Sequence, residues 1–188
     1  MNIFWLDNDP VKSARYNVDR HVIKICTEIA QVLSNVHAPE VAPYRHTHTH
    51  HPLTFWVKES AQNYMKAAIY GKELCREYTF RYGGKRIKTE DTIDWLIENA
   101  PRLPDIGETR VPRCFGSHKG ILPETDDLVA DYRRFYVAAK SHLFCWRGRS
   151  IPEWVFSTGV LCPPLAPNGK PSKFFLEFQK FTSNRENS

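Results

Sequence analysis

Six polar side chains near the start of the chain, Asn17, His21, Lys24, Glu28, Gln31 and Asn35, fall within about 40° of one direction at helical pitch. A face that only meets water is usually dominated by Lys and Glu, whereas this one offers amide, imidazole, ammonium and carboxylate in successive turns. Two readings stand side by side. In the first, Lys24 and Glu28 are an ordinary i,i+4 ion pair on solvent surface, worth roughly 0.2–0.5 kcal/mol. In the second, Glu28 is a general acid/base or electrostatic stabiliser, His21 carries protons, and Lys24 is an anion ligand or amine nucleophile.

The loop Tyr44-Arg45-His46-Thr47-His48-Thr49-His50-His51-Pro52 is the strongest local signal, with four histidines in six residues, a density that packing does not explain. In an extended segment His46, His48 and His50 project to one side, because side chains alternate with period two. Two of them with a carboxylate brought from elsewhere would form a facial metal site. The alternatives are histidines acting on a phosphate or as acid/base, with His48 and His51 preferred, and a plain His-rich surface loop. The leading expectation needs no metal and no cofactor. Trp56 and Tyr64, on the segment that follows, either stack on a nucleotide base or belong to the core. No GxGxxG, Walker A, GxSxG or HExxH pattern occurs, which disfavours Rossmann hydride transfer, P-loop phosphoryl transfer and zincin chemistry.

Such groups need carriers, and the pattern supplies mostly helices. Residues 2–6, NIFWL, read as a short buried strand or an extended lead-in. Asp9 and Pro10 are the N-cap and first-turn residues of a helix over 10–36, with an apolar face through Val18, Val22, Ile25, Ile29 and Leu33. Pro39, Pro43 and the histidines make 37–51 a loop. Pro52 opens a second long helix that ends at Gly83-Gly84. Thr89 caps a short helix over 90–99, and its early acids suit the helix dipole. Residues 100–122 form a long irregular connection of the kind that usually carries function. A third long helix spans 123–146. The expected fold is mainly α, a single-domain bundle of three long helices and one short helix over 1–162. A Pro-rich linker and short amphipathic tail follow over 163–188.

The 188 residues carry a net charge of +5, and 41% hydrophobic with 25% charged residues excludes a disordered acidic chain or a rod. No apolar run nears the ~18–20 residues of a membrane span. Asp7 and Asp9 are unlike a signal peptide. Five scattered cysteines without a CxxC point to reduced thiols, so the expected setting is the cytoplasm. Two segments mix cations with aromatics. The first, 72–88, holds Arg81 and Lys85 among Tyr78, Phe80 and Tyr82; the second, 133–149, holds Arg133, Arg134, Lys140 and Arg147 among Phe135, Tyr136, Phe144 and Trp146. They are either amphipathic helices with solvated cations or a surface that neutralises phosphates and stacks on bases. The second reading makes DNA the partner, with Arg45 joining those cations on phosphates.

The stretches LDNDPVKSARYNVDRHVIKICTEIAQVL, YRHTHTHHPLTFWVKESAQNY and EYTFRYGGKRIKT resemble a group of small phage and large-virus proteins. That group has a similar LD-x-DP start, a DKHV-like helix, a Y-x-x-TH-x-x-HP loop and a late helix matched here by Tyr132, Arg133, Tyr136, Lys140, Trp146, Pro152, Glu153 and Trp154. The match covers about residues 3–154 and leaves out the tail. More distantly, the helix–loop–helix order is similar to the all-α pyrimidine-dimer DNA glycosylases. That likeness implies a basic groove, a flipped nucleotide, and Glu28 as the carboxylate on the first long helix. Those enzymes use an N-terminal α-amine exposed by loss of Met. With Asn in second place Met1 is expected to stay, which moves the amine role to Lys24. An equal resemblance is to phage amino acid:DNA transferases, which place a free amino acid on an activated 5-phosphomethyl pyrimidine during thymidine hypermodification. There His21, His48, His51 and Arg45 suit a leaving phosphate and Glu28 an incoming amine. The remaining alternative is a nucleic-acid-binding protein without catalysis.

Overall fold

Asp9 opens the first helix: its carboxylate accepts from the Val11 N–H at 2.8 Å, and Pro10 takes the first helical position. The computed structural model describes residues 1–116, 124–159 and 174–175. Among these it holds six α-helices, two short 3-10 turns and no strand. The helices are α1 (Pro10–Tyr16), α2 (Asp19–Ser34), α3 (Pro52–Glu59), α4 (Ala61–Arg81), α5 (Thr89–Glu98) and α6 (Leu128–Lys140). The protein is mainly helical, but the long helices expected from periodicity are divided.

The helix expected over 10–36 breaks at Asn17-Val18, where distant partners take the local donors. Val18 N–H goes to the Tyr136 hydroxyl at 3.1 Å, Asp19 N–H to the Cys145 carbonyl at 2.9 Å, and Asn17 Nδ2 to the Tyr70 hydroxyl at 2.6 Å. The helix expected from Pro52 onward breaks at Ser60, which is extended at φ −151°, ψ 156°. Its hydroxyl caps α4 by accepting from Asn63 N–H at 3.1 Å, while Asn63 Nδ2 reaches back to the Trp56 carbonyl at 2.8 Å. The third begins late, after an Asp127 cap, and passes at Ser141 into a 3-10 turn.

α2 and α4 form the central pair, and α1, α3 and α5 pack against α4. Val22, Ile25, Ile29 and Leu33 of α2 are fully buried there. Residues 2–6 are an extended lead-in threaded through this core, with Ile3, Phe4, Trp5 and Leu6 all buried. The Phe4 carbonyl accepts from the Tyr70 hydroxyl at 2.7 Å, and Leu6 N–H donates to Ser13 Oγ at 3.0 Å. Residues 100–116 return along α3 and α4, where Thr109 N–H donates to Asn63 Oδ1 at 2.9 Å and Ala61 N–H to the Pro104 carbonyl at 2.9 Å. Phe174 is buried on Phe144 at a ring separation of 4.8 Å. The rest of the expected linker and tail, and Cys162, lie outside the described residues. Among the described residues the other four cysteines are free thiols, and no helix is long and apolar enough to cross a membrane.

Most of the cations expected on phosphates are used internally. Arg81 has a fully buried side chain, bonded to Asp19 at 2.8 Å, Glu77 at 2.7 Å and the Arg15 carbonyl at 2.8 Å. Arg133 donates to the Leu6 carbonyl at 2.8 Å and to Asp7 at 3.0 Å, and covers the rings of Tyr16 and Trp154. Arg134 pairs with Asp131. Arg149 lies 3.7 Å above the Phe80 ring and Arg147 4.9 Å above Tyr82. The interleaving of cations with aromatics thus serves cation–π contacts within the fold. Trp56 and Tyr64, both 1% exposed, are core residues and not a stacking platform. The Trp56 indole N–H donates to the Thr109 carbonyl, and the Tyr64 hydroxyl to the Leu96 carbonyl. Lys85 stays exposed after α4 and Arg147 stays exposed beyond α6.

Candidate functional site

The polar face of the leading helix is largely inside the protein. Asn17 is 0%, Asn35 3%, His21 4% and Glu28 9% exposed; of the three groups on this face proposed for chemistry only Lys24 reaches water freely. Buried polar groups need partners, and each has one. Asn35 grips the histidine loop in both directions, donating to the Thr47 carbonyl at 2.8 Å and accepting from Thr47 N–H at 3.1 Å. Glu28 accepts from Asn2 N–H at 2.9 Å and pairs with Lys24 Nζ at 3.3 Å, with the amino nitrogen of Met1 3.8 Å away.

Two residues of this face, His21 and Lys24, line a cavity of about 220 Å³. Phe4, Phe115 and Phe135 give it flat walls, the last two stacked at 4.7 Å. His21, Lys24 and Lys140 supply its polar groups, while Met1, Asn2 and Cys114 close one side. Glu28 itself lies behind Met1, Asn2 and Lys24. Asn2 fixes the geometry: its Nδ2 donates to the Cys114 carbonyl at 2.6 Å and its Oδ1 accepts from the Tyr132 hydroxyl at 3.2 Å. One residue thereby ties the lead-in to α2, to the 100–116 connection and to α6. Asn2 and Phe4 were legible only as part of a buried lead-in, and Phe115 carried no signal in the sequence. Phe135 and Tyr136 stood out as members of a basic-aromatic segment, Tyr136 also in the late-helix motif.

The histidine loop contributes less than its composition promised. His51 caps α3, its Nδ1 accepting from Leu53 N–H at 3.2 Å. Burial lowers its pKa, helped by the charge of the Met1 amino group; a bond to the Met1 main chain and the Glu28 charge oppose this. His51 therefore stands beside the Glu28 cluster. His48 is exposed, has a left-handed backbone (φ 52°) and bonds its neighbour Thr47. That reversal also ends the alternation that would align His46, His48 and His50. Among the described residues no three His, Cys, Asp or Glu side chains are grouped to hold a metal ion. Arg45 and His46 line a separate open cleft with Tyr44 and Gln31.

The cavity is electrostatically uneven. Burial takes the His21 pKa down to about 3, with Lys140, Lys24 and His142 adding to the effect, so the imidazole is neutral at pH 7. That suits a hydrogen-bonding group in place of the expected proton carrier. Burial also lowers the Lys140 ammonium, Lys24 lowers it further, and Glu28 opposes both. His142 is lowered by burial and by the charges of Lys140 and Arg20. Burial pushes the Cys114 thiol up to about 11, leaving it protonated. Lys140 makes no ion pair among the described residues, so with Lys24 it forms a cationic edge to a neutral, aromatic interior, while Arg20 is exposed near His142. Compared with known proteins, the chain matches no family model, no curated protein and no solved structure.

Proposed function

We propose that the cavity is the active site of an enzyme acting on a damaged or modified pyrimidine in DNA, with the nucleotide turned out of the duplex as in the glycosylases. One observation carries this reading: primary amines, one of them paired with the Glu28 carboxylate behind it, line an aromatic cavity whose size suits one small planar ring. An uncharged amine attacks C1′ as the C1′–N1 bond breaks and the base leaves with the bonding pair; Glu28, 3.3 Å from Lys24 Nζ, takes the amine's proton, and opening of the C1′–O4′ bond, with a proton returned to O4′, leaves the imine. Lys24 and Lys140 at the cavity, with the exposed Arg20 near His142, neutralise phosphates beside the flipped nucleotide. The affinity to small phage and large-virus proteins belongs to the same proposal, and with it a host-cell cytoplasmic setting.

The test is incubation with irradiated duplex in the presence of borohydride, followed by peptide mapping. A covalent adduct on Lys24, on Lys140 or on the Met1 amino group supports the reading; folded protein giving neither adduct nor released base overturns it. The two lysines at the cavity, with no carboxylate in its wall among the described residues, favour one second reading. In that reading a phosphate leaves a 5-phosphomethyl pyrimidine and a free amino acid takes its place. Nucleoside mass analysis separates the two, since only the transferase leaves a pyrimidine whose phosphate has been exchanged for an amino acid.

A further inference from the structure

We infer that His21 serves the cavity as a fixed, uncharged N–H donor, that Tyr136 holds it in this form, and that its ligand is a ring carbonyl oxygen of a neutral pyrimidine. The inference deepens the reading of the cavity as a pyrimidine site and rests on it. Tyr136 is fully buried, and its hydroxyl has three neighbours. It accepts from Val18 N–H at 3.1 Å, meets His21 Nδ1 at 2.6 Å, and lies 3.5 Å from Asn17 Oδ1. A hydroxyl has one proton to give, and a 2.6 Å contact is a strong bond where 3.5 Å is at the limit of one. The proton goes to Nδ1. The ring's own hydrogen is then on Nε2, the nitrogen that has no protein partner among the described residues and belongs to a ring lining the cavity.

The surroundings keep this arrangement from changing. Phe4 packs on the imidazole at 4.7 Å, which blocks a ring flip. The charged and titratable groups that face it are Lys24 on its own helix, Lys140 at the end of α6 and His142 in the 3-10 turn beyond. All of them disfavour an imidazolium. The ammonium groups at the rim suit phosphate oxygens, whereas a neutral N–H between flat apolar walls suits a neutral carbonyl. Tyr136 never reaches the ligand and is a positioning residue.

The experiment is a long-range proton–nitrogen NMR spectrum of the protein labelled in histidine, alone and with thymidine 5′-monophosphate as probe. His21 is expected in the Nε2–H form from pH 5 to pH 8, and its Nε2 resonance is expected to move on adding the probe. Tyr136→Phe should convert it to a mixture of tautomers. Because that variant leaves Val18 N–H unpaired and can lose its fold, His21→Leu and His21→Gln carry the same test. Leucine should weaken probe binding about five- to ten-fold, the worth of one net hydrogen bond, and glutamine, whose amide N–H takes the place of Nε2, should restore most of it. An Nδ1–H form in the unmodified protein overturns the inference, as does probe binding that shifts Lys140 but not His21. If the probe shifts nothing in the cavity while His21 is in the Nε2–H form, the pyrimidine reading fails and the tautomer assignment stands.

Discussion

Glu77 lets the cost of breaking one buried ionic cluster be worked out in advance. It is 4% exposed on α4; Oε1 accepts from Arg81 Nε at 2.7 Å and Arg149 Nε at 3.0 Å, and Oε2 from Arg149 Nη2 at 2.8 Å. Arg81 also holds Asp19 at the start of α2, so the cluster joins the helix bearing His21 and Lys24 to α4 and to the segment after Trp146. Removing one partner of a buried pair costs about 3–5 kcal/mol. After Glu77→Ala, Arg81 keeps Asp19 and Arg149 can turn to water, which places the loss at the lower end, about 3 kcal/mol. For a chain of this size that lowers Tm by about 6–12 °C, readable by circular dichroism. The pH dependence follows. Burial alone would raise the Glu77 pKa, but the bonds and charges of Arg149 and Arg81 outweigh it and hold the carboxyl below its ordinary value. Its contribution is therefore complete above the ordinary range of about 4.3 and is lost as pH falls through the lower folded value. The stability gap between the parent and Glu77→Gln should be constant near neutrality and close in acid. A Tm drop under about 2 °C for Glu77→Ala, or a gap that widens as pH falls, would refute the reasoning.

Charge reversals sort the cations by role. Lys140→Glu and Arg20→Glu should weaken binding to duplex DNA roughly ten-fold or more and flatten its salt dependence, whereas Arg133→Ala should lower Tm and leave the salt slope alone. Fluorescence anisotropy at several salt concentrations measures this, and equal losses for all three would return the binding role to the basic segments. The Lys140 pKa, followed by NMR of its ammonium, should rise in Lys24→Gln, which removes a like charge, and fall further in Glu28→Gln; the opposite order contradicts the charge arrangement of the cavity. Gly71→Ala should destabilise by about 1 kcal/mol in urea titration, because crowding costs roughly 1–3 kcal/mol and improved helix propensity returns about 1. The added Cβ would lie 2.9 Å from Ile93 Cδ1 and 3.1 Å from Ile29 Cγ2, so a gain in stability would mean the α2–α4–α5 contact is looser than these distances.

Helical periodicity made Glu28, His21 and Lys24 legible because a repeat of 3.6 is a property of one segment. It failed at Asn17-Val18 and Ser60 for the complementary reason: those breaks are made by Tyr136, Cys145, Tyr70 and Pro104, which no local pattern contains. The basic-aromatic segments misled in the same way. Composition cannot distinguish an arginine facing solvent from Arg81 facing Glu77 and Asp19, or an aromatic awaiting a base from Phe80 beneath Arg149. In the histidine loop the residue types were informative but their direction was not. One left-handed residue, His48, ends the alternation that would align His46, His48 and His50.

The parts hidden from sequence reading are also the parts that set the shape of the cavity. Its groups come from the lead-in, α2, the 100–116 connection and α6, and only α2 announces its share by spacing. Asn2 draws the four together through Glu28, Cys114 and Tyr132, and Tyr136 orients His21 from below. A reacting group a single ångström out of place forfeits much of the advantage of being bound at all. The chain has therefore placed its most exacting hydrogen bonds outside the helix backbones, in Asn2 and in the hydroxyls of two buried tyrosines. The helices set the distance between the walls to within a few ångströms; these three side chains fix it more closely. Residues outside the cavity wall are for that reason as decisive for its shape as the residues that line it.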